Sequence, residues 1–359
     1  MSLLWQKISG VWQSKLGFKV SASYLLLLLA IVLLLPWLPL PFAPNHLDLD
    51  YTSVKPFSER AWASGHILGT DTLGRDLASN LLYGARTAFF IAFPVISLAT
   101  LLGTALGVVA GFYHHQGAKL LRYQALFYLL AGIAFLYYSV YVPAKSIKLG
   151  LGTSPAGYAL LTFFSLVIVL WIVCRFLLAK VTCFRRVWVL PADAVIMRFV
   201  ESLSTVPRFV LILVLAAFLP PSVPLLSLLL IFTMWPASAR LARAEMLRIK
   251  QLSYFEAALS IGSPTIRLLW HHAFPNLIGP VLIAYIFGLG GLLTLESTLS
   301  FLNIGVPGTL VSWGRTISSI RTNTAAWWLV VLPGSLLSIT VLALYTCGHY
   351  LSKILTAKA

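Results

Sequence analysis

Eight apolar runs separated by polar segments can be drawn along this chain, over 22–40, 87–111, 121–142, 156–179, 195–219, 223–241, 277–301 and 327–350. Each is about the 20 residues that a helix needs to cross a hydrocarbon core. Backbone polar groups in lipid must be satisfied within the structure that spans it, which a helix does by itself. The expectation is an all-α polytopic membrane bundle of about eight spans. Composition agrees: 59% of the 359 residues are hydrophobic and only 10% are charged, which excludes a water-soluble chain.

The formal charge of +16 would suggest nucleic acid in a soluble domain. Here Lys and Arg sit between the apolar runs, so they read as topology signals and contacts to anionic membrane lipid, with no nucleic-acid partner. An even number of spans returns both termini to one side. With that side cytoplasmic, inside segments hold seventeen of the 26 basic residues, Lys7, Lys15, Lys19, Arg185, Arg186, Arg240, Arg243 and Lys358 among them. The first outside loop carries Asp48, Asp50, Glu59, Asp71 and Asp76, and Arg208 falls near a membrane boundary. The positive-inside rule supports both termini in the cytoplasm.

Organisation follows: a cytoplasmic N-terminus over 1–21, a first transmembrane helix over 22–40, a periplasmic segment over 41–86, a core over 87–350 and a cytoplasmic tail over 351–359. Pro36, Pro39, Pro41 and Pro44 follow the first run where a signal peptide would show small residues, so that run is expected to be retained. Cys174, Cys183 and Cys347 lie in or beside apolar runs and suggest neither a disulfide framework nor a metal site. His114 with His115 and His271 with His272 lack a nearby third ligand, so no metal is expected. Gly288, Gly290 and Gly291 suggest close helix packing in the seventh span. Glu296, an acid at membrane depth, reads equally as a pore-lining group or a structural hydrogen-bonding one. It has no second catalytic group at a telling spacing, and the chain is not expected to be an enzyme. The dipeptide Gly-Lys that a phosphate loop needs never occurs, so any ATPase must act in trans.

Two polar segments carry the functional signals. In the one over 242–276, Glu256, Ala257 and Ala258 are followed by Gly262 and Pro275, a short helix whose two small side chains would let another protein approach closely. In the other, Gly65, Gly69, Gly74 and Gly84 allow tight turns, and Asp71, Arg75, Asp76 and Arg86 are close enough in sequence to pair. His66, Thr70 and these charges are expected to form a structural element, with His66 itself replaceable by Ala at little cost.

The pattern E-A-A, three residues, G and, further on, an apolar residue and P resembles the coupling-loop signature of bacterial ATP-binding-cassette importer permeases, matched at Glu256, Ala257, Ala258, Gly262 and Pro275. The stretch HILGTDTLGRDLASNLLYGARTAF resembles the peptide and nickel branch of that family, second-permease type, at His66, Leu68, Gly69, Thr70, Asp71, Gly74, Arg75, Asp76, Gly84, Ala85 and Arg86. DAVIMR at 193–198, LSFLNIGV at 299–306 and SWG at 312–314 keep the family's order. The resemblance implies about six family helices forming half of a translocation pathway in the bacterial inner membrane. It also implies a homologous second permease, two cytoplasmic ATPase subunits or domains, and an extracytoplasmic substrate-binding protein. ATP and Mg would sit on those partners, and no cofactor on this chain. Peptide import by alternating access is the leading reading, with nickel or other solute uptake, peptide export and a non-transport regulatory complex left open. Two departures stand out. Leu259 occupies a place that is commonly basic, and residues 112–192 lengthen a connection that is usually about a dozen residues, adding apolar runs that suggest an inserted transmembrane hairpin.

Overall fold

The computed structural model describes residues 9–115, 117–148, 154–218 and 220–356, so Lys7 and Lys358 lie outside the described residues. It divides into two units, a bundle of residues up to Phe112 and from Ile196 onward, and an insert over Tyr113–Val195.

The bundle is built on α1 (Leu16–Leu34), α2 (Leu77–Phe112), α7 (Val223–Lys250), α9 (Phe274–Phe301) and α11 (Trp328–Thr356). The bent pair α5 (Ala192–Thr205) and α6 (Arg208–Ala217) precedes α7, and the short helices α8 (Ser253–Ser260) and α10 (Trp313–Ser318) flank α9. Two helices outrun the apolar runs that announced them. At its N-terminal end α2 adds ten residues, Leu77 to Arg86, with Ser79 and Asn80 buried. The last turns of α7 reach Lys250 with Ala242, Met246 and Ile249 buried, so the loop expected to start at 242 begins only at Gln251.

Among the described residues six helical stretches are long and apolar enough to cross a membrane: Leu16–Trp37, Leu77–Phe112, Gly157–Lys180, Val223–Lys250, Thr265–Phe301 and Trp328–Leu355. The α5 and α6 pair makes a seventh if its 81° bend is counted within one span. The bend has a local cause: Pro207 cannot donate to the helical ladder, and its ring drives Val206 out of the helical region.

What joins α2 to α7 is a seam of glycines that the apolar runs did not reveal. Gly103, Gly107 and Gly111 recur every fourth residue and so fall on one face of α2. A methyl group on Gly103 would overlap the carbonyl of Trp235, and one on Gly107 the carbonyl of Ala239; at Gly111 it would lie 2.8 Å from Met246 Cβ. Lipid offers no hydrophobic drive for helices to associate, so such backbone approach, with its dispersion contacts, is what holds the pair. Around it Ala92, Ile96, Leu230, Leu292 and Leu299 form the main core. A second cluster gathers Leu77, Ala85, Trp313 and Trp328, and a third Met246, Ile249, Phe255, Leu268 and Leu277.

In the insert, β1 (Ala118–Leu121) pairs antiparallel with β2 (Val187–Leu190), Ala118 opposite Leu190 and Leu121 opposite Val187. This ribbon, invisible in the helical reading, closes the base of a helical hairpin. Its arms are α3 (Arg122–Phe135), continued through a wide turn at Leu136–Tyr141 to a helix over Val142–Lys148, and α4 (Ser154–Ile172). Phe135 meets Phe163 edge to face at 5.8 Å between ring centroids. Only the second arm has the apolar length of a span; the first, expected to be a span over 121–142, is helical but falls short of it. That accounts for six or seven spans where eight were drawn.

Candidate functional site

Both polar segments meet the bundle at opposite ends. Helix α1 ends, and α2, α7 and α11 begin, where residues 38–76 and 302–327 gather; α8 projects at the far end, between the C-terminus of α7 and the N-terminus of α9.

At the first end the chain folds around His66, whose side chain is wholly buried. Its ring stacks on Phe42 at 3.9 Å between centroids, and Nδ1 lies 3.0 Å from Asp76 Oδ1. On the opposite edge Nε2 stands 3.5 Å from Asp48 Oδ2. Asp76 also caps α2, its Oδ2 accepting the Ser79 amide at 2.8 Å. Asp71 Oδ1 accepts the amides of Leu73 and Arg75, each at 2.9 Å, closing the turn in which Gly74 takes φ +74°. A side chain on Gly74 would collide with the Asp48 carbonyl, and one on Gly69 with that of Val54. Thr70 receives the Val54 amide on Oγ1 at 2.9 Å and donates the same hydroxyl to Tyr51 O. Two tryptophans lock the element to the helices: Trp328 Nε1 donates to Thr70 O at 3.0 Å, and Trp313 Nε1 to Leu81 O at 2.9 Å. Arg315 fastens the neighbouring loop by donating to the carbonyls of Val306, Pro307 and Leu310 at 2.8–3.0 Å.

His66, Gly69, Thr70, Asp71, Gly74 and Asp76 are thus brought together. Arg75 is less engaged, its Nε 4.0 Å from Asp71 Oδ2. The geometry speaks against the expectation that His66 could be lost at little cost, since the ring lies buried between two carboxylates. Asp48, Phe42 and Trp328 were missed, since nothing in their local sequence marks them as partners of residues up to 258 positions away.

At the other end, α8 is anchored by Phe255 and Ala258, which pack into the cluster of Met246, Ile249, Leu268 and Leu277. Glu256, Ala257 and Leu259 face outward. The two small residues therefore do different work: Ala258 seats the helix on its own bundle, and Ala257 alone presents a small outer surface. Gly262 turns the chain at φ +75° in open space. On either side of it Ile261, Ile266 and Trp270 are 81%, 63% and 60% exposed, apolar surface at a helix end that carries Arg248 and Arg267. Burial pushes the Tyr254 hydroxyl above its usual range, with Arg248 pulling the other way. Pro275 is the second residue of α9, directly after the wider helical turns of Leu268–Ala273.

Residues 176–358 match the family described as binding-protein-dependent transport system inner membrane component. The chain belongs to this family. Over 351 residues the permease is 24% identical to the di/tripeptide transport system permease protein DppC of Pseudomonas aeruginosa, covering 97% of this chain and 91% of that one. It is 23% identical to the dipeptide transport system permease protein DppC of Haemophilus influenzae, over 95% of this chain and 90% of the relative. The oligopeptide transport system permease protein OppC of Bacillus subtilis is also 23% identical, over 98% and 92%. The protein is a multi-pass membrane permease component, not itself the catalytic subunit of its transport system.

The intramembrane residues of this permease divide. A side chain on Gly288 would press on Ile96 and one on Gly290 on Tyr345, whereas Gly291 meets nothing within 4 Å and is not a packing glycine in this chain. Glu296 is fully buried, its Oε1 accepting the Ser300 hydroxyl at 2.7 Å, while Oε2 and the Ser297 hydroxyl have no partner of hydrogen-bonding geometry among the described residues. It faces the inside of its own bundle. Cys174 and Cys347 are buried free thiols, and the Cys183 side chain lies outside those described. Among the described residues no three of His, Cys, Asp and Glu gather as metal ligands; His114 Nδ1 instead bonds Asp193 Oδ2 within the insert.

Proposed function

We propose that this chain is one of two permease subunits of a bacterial inner-membrane peptide importer, and that α8 receives the stroke of a cytoplasmic ATPase pair. The single observation that carries the coupling role is the contrast on α8. Phe255 and Ala258 fasten it to α7 and α9, while Glu256, Ala257, Leu259 and Ile261 stand out on a surface that this chain leaves uncovered. A helix so mounted moves with the spanning helices as a rigid lever. ATP binding and hydrolysis, with Mg, take place on the partner subunits, and this chain holds no cofactor. Nucleotide-dependent contacts at α8 bias a two-state equilibrium between inward-facing and outward-facing bundles.

The relatives named for dipeptides, di/tripeptides and oligopeptides support peptide cargo over nickel, and a permease of this family works with an extracytoplasmic binding protein. The charge asymmetry, seventeen of the 26 basic residues on one side, supports a cytoplasmic position for α8 and both termini and an outside position for the His66 element. A homologous second permease completes the pathway. The test is uptake by the assembled transporter in vesicles. Ile261→Asp and Glu256→Lys are expected to leave complex yield intact while uptake and peptide-stimulated ATP hydrolysis fall together, by about tenfold for one well-buried interface residue. Parent-like values of both in both variants overturn the coupling role.

A further inference from the structure

Where α5 bends into α6 the bundle holds two arginines without a carboxylate between them. Leu203, Ser204, Val206, Pro207, Arg208, Leu211, Thr233, Pro236 and Arg240 line a cavity of about 220 Å³ at the break. Arg240 Nη1 donates to Ser204 Oγ at 2.8 Å, and the contact made by Arg208 is a weak one, Nη1 to Met234 Sδ at 3.6 Å. No ion pair reaches either guanidinium among the described residues, and the nearest acid along α5, Glu201, faces Arg198 at 3.5 Å. The first turn of α6 opens on the same cavity through Pro207 and Arg208, adding the positive end of a ten-residue helix and its unpaired amides.

Depth narrows what these cations are for. The Met234 sulfur that Arg208 reaches lies eleven residues into α7, roughly 16 Å from its start at 1.5 Å per residue, and Arg240 lies seventeen residues in, roughly 25 Å. Against a hydrocarbon core of about 30 Å, the Arg208 contact falls near the middle, deeper than lipid headgroups, and Arg240 nearer the cytoplasmic edge. A charge at that depth faces a protein interior or a water-filled path, and two like charges sharing one cavity repel unless an anion lies between them. Both arginines are exposed on this chain, so the cavity opens on a face that the bundle itself leaves uncovered.

We infer that Arg208 and Arg240, with the Ser204 hydroxyl and the α6 N-terminus, form a carboxylate-binding station that takes the C-terminal carboxylate of a peptide in transit. The planar guanidinium groups suit a carboxylate, which can accept from both arginines at once. The ligand rests on the peptide reading above; the anion site itself does not. The station is a specificity element: a substrate lacking the terminal charge leaves two cations facing each other.

Two measurements on the assembled transporter separate site from cargo. In lipid discs, phenylglyoxal modification of Arg208 and Arg240 is followed by peptide mapping, with dialanine, dialanine amide or acetate added. Dialanine and acetate are expected to slow modification of both residues and the amide to leave it unchanged. Equal protection by the amide, or protection by none of the three, overturns the site. Shielding in phosphatidylglycerol discs that disappears in phosphatidylcholine discs, with dialanine adding nothing, assigns the cavity to a headgroup phosphate and also overturns it. In vesicles with saturating binding protein, Arg208→Gln and Arg240→Gln are expected to lower dialanine uptake about tenfold or more, with Arg208→Lys and Arg240→Lys retaining part of it at equal complex yield. Unchanged uptake in both Gln variants counts against the station. Acetate protection in a parent transporter that carries no dialanine leaves the anion site standing and removes the peptide reading.

Discussion

At the His66 end of the bundle, polar side chains turn inward and satisfy one another; at the α8 end, apolar side chains turn outward and leave most of their surface uncovered by this chain. His66, Thr70, Asp71 and Asp76 are buried and hydrogen-bonded, whereas Ile261, Ile266 and Trp270 are mostly exposed. The first arrangement fixes a shape within one chain, because a buried polar group costs free energy unless its partners stay in place. The second leaves surface whose burial is worth about 25 cal/mol per Å² to whichever protein covers it. The His66 network finds its partners within its own chain, and the outer face of α8 does not. Substitutions at the two ends should therefore be read by different instruments: stability of the isolated chain at the first, coupled activity of the complex at the second.

The largest effects on stability are expected where backbone meets backbone. Gly107→Val on α2 would force a branched side chain onto the Ala239 carbonyl, and Gly74→Val would combine a clash with Asp48 O and a left-handed backbone. Each should cost upwards of about 3 kcal/mol and lower the yield of folded permease in detergent. A Gly107→Val protein that melts like the parent would show that α2 and α7 do not touch as described. Next comes His66→Ala, which leaves Asp76 and Asp48 without the imidazole and removes the Phe42 stack. A loss of about 2–4 kcal/mol is expected from a buried charged-acceptor hydrogen bond plus an aromatic contact. His66→Ala unfolding with the parent's midpoint would mean that the polar network is ornamental and that the contrast between the two ends is false.

Neighbouring alanines on α8 sharpen the comparison within one turn. Ala258→Leu inserts three carbons into a packed cluster and should destabilise the chain by about 1–3 kcal/mol. Ala257→Leu should leave unfolding unchanged and lower peptide-stimulated ATP hydrolysis, since its methyl faces the proposed partner. The reverse pattern, stability lost at 257 and activity lost at 258, would rotate α8 by about 100° and reassign its outer face.

The sequence discloses what depends on local pattern. Apolar runs located the main helices, and the glycine and carboxylate spacing between His66 and Asp76 marked the turn element. It was silent where the deciding contact is distant. Nothing near Thr70 announces Trp328, and nothing near Ser204 announces Arg240 thirty-six positions on, because both contacts exist only after helices pack. Runs of apolar residues also misplace helix ends: Ser79 and Asn80 look like loop residues yet are buried in α2, and the basic residues after Arg240 look like loop yet continue α7. The ribbon of β1 and β2 was hidden for a related reason. AKLL and VWVL are short apolar stretches that periodicity cannot tell from helix, and only their pairing makes them strands.

The smallest effect is expected at Gly291, and it tests how far a glycine cluster can be trusted as a sign of packing. Gly288, Gly290 and Gly291 look alike in the sequence, but a side chain on Gly290 would stand 2.6 Å from the Tyr345 ring and one on Gly288 2.8 Å from Ile96. A methyl on Gly291 meets nothing within 4 Å, and mid-helix alanine is favoured over glycine by up to about 1 kcal/mol. Gly291→Ala should therefore leave the isolated permease as stable as the parent or slightly more so, whereas Gly290→Ala should lower its melting temperature. Should Gly291→Ala preserve the chain's stability yet reduce the yield of the two-permease complex, this face of α9 packs against the second permease rather than lipid. A destabilised Gly291→Ala chain would instead show that α9 meets a neighbour within its own bundle at that point, and the distinction drawn among the three glycines would be wrong.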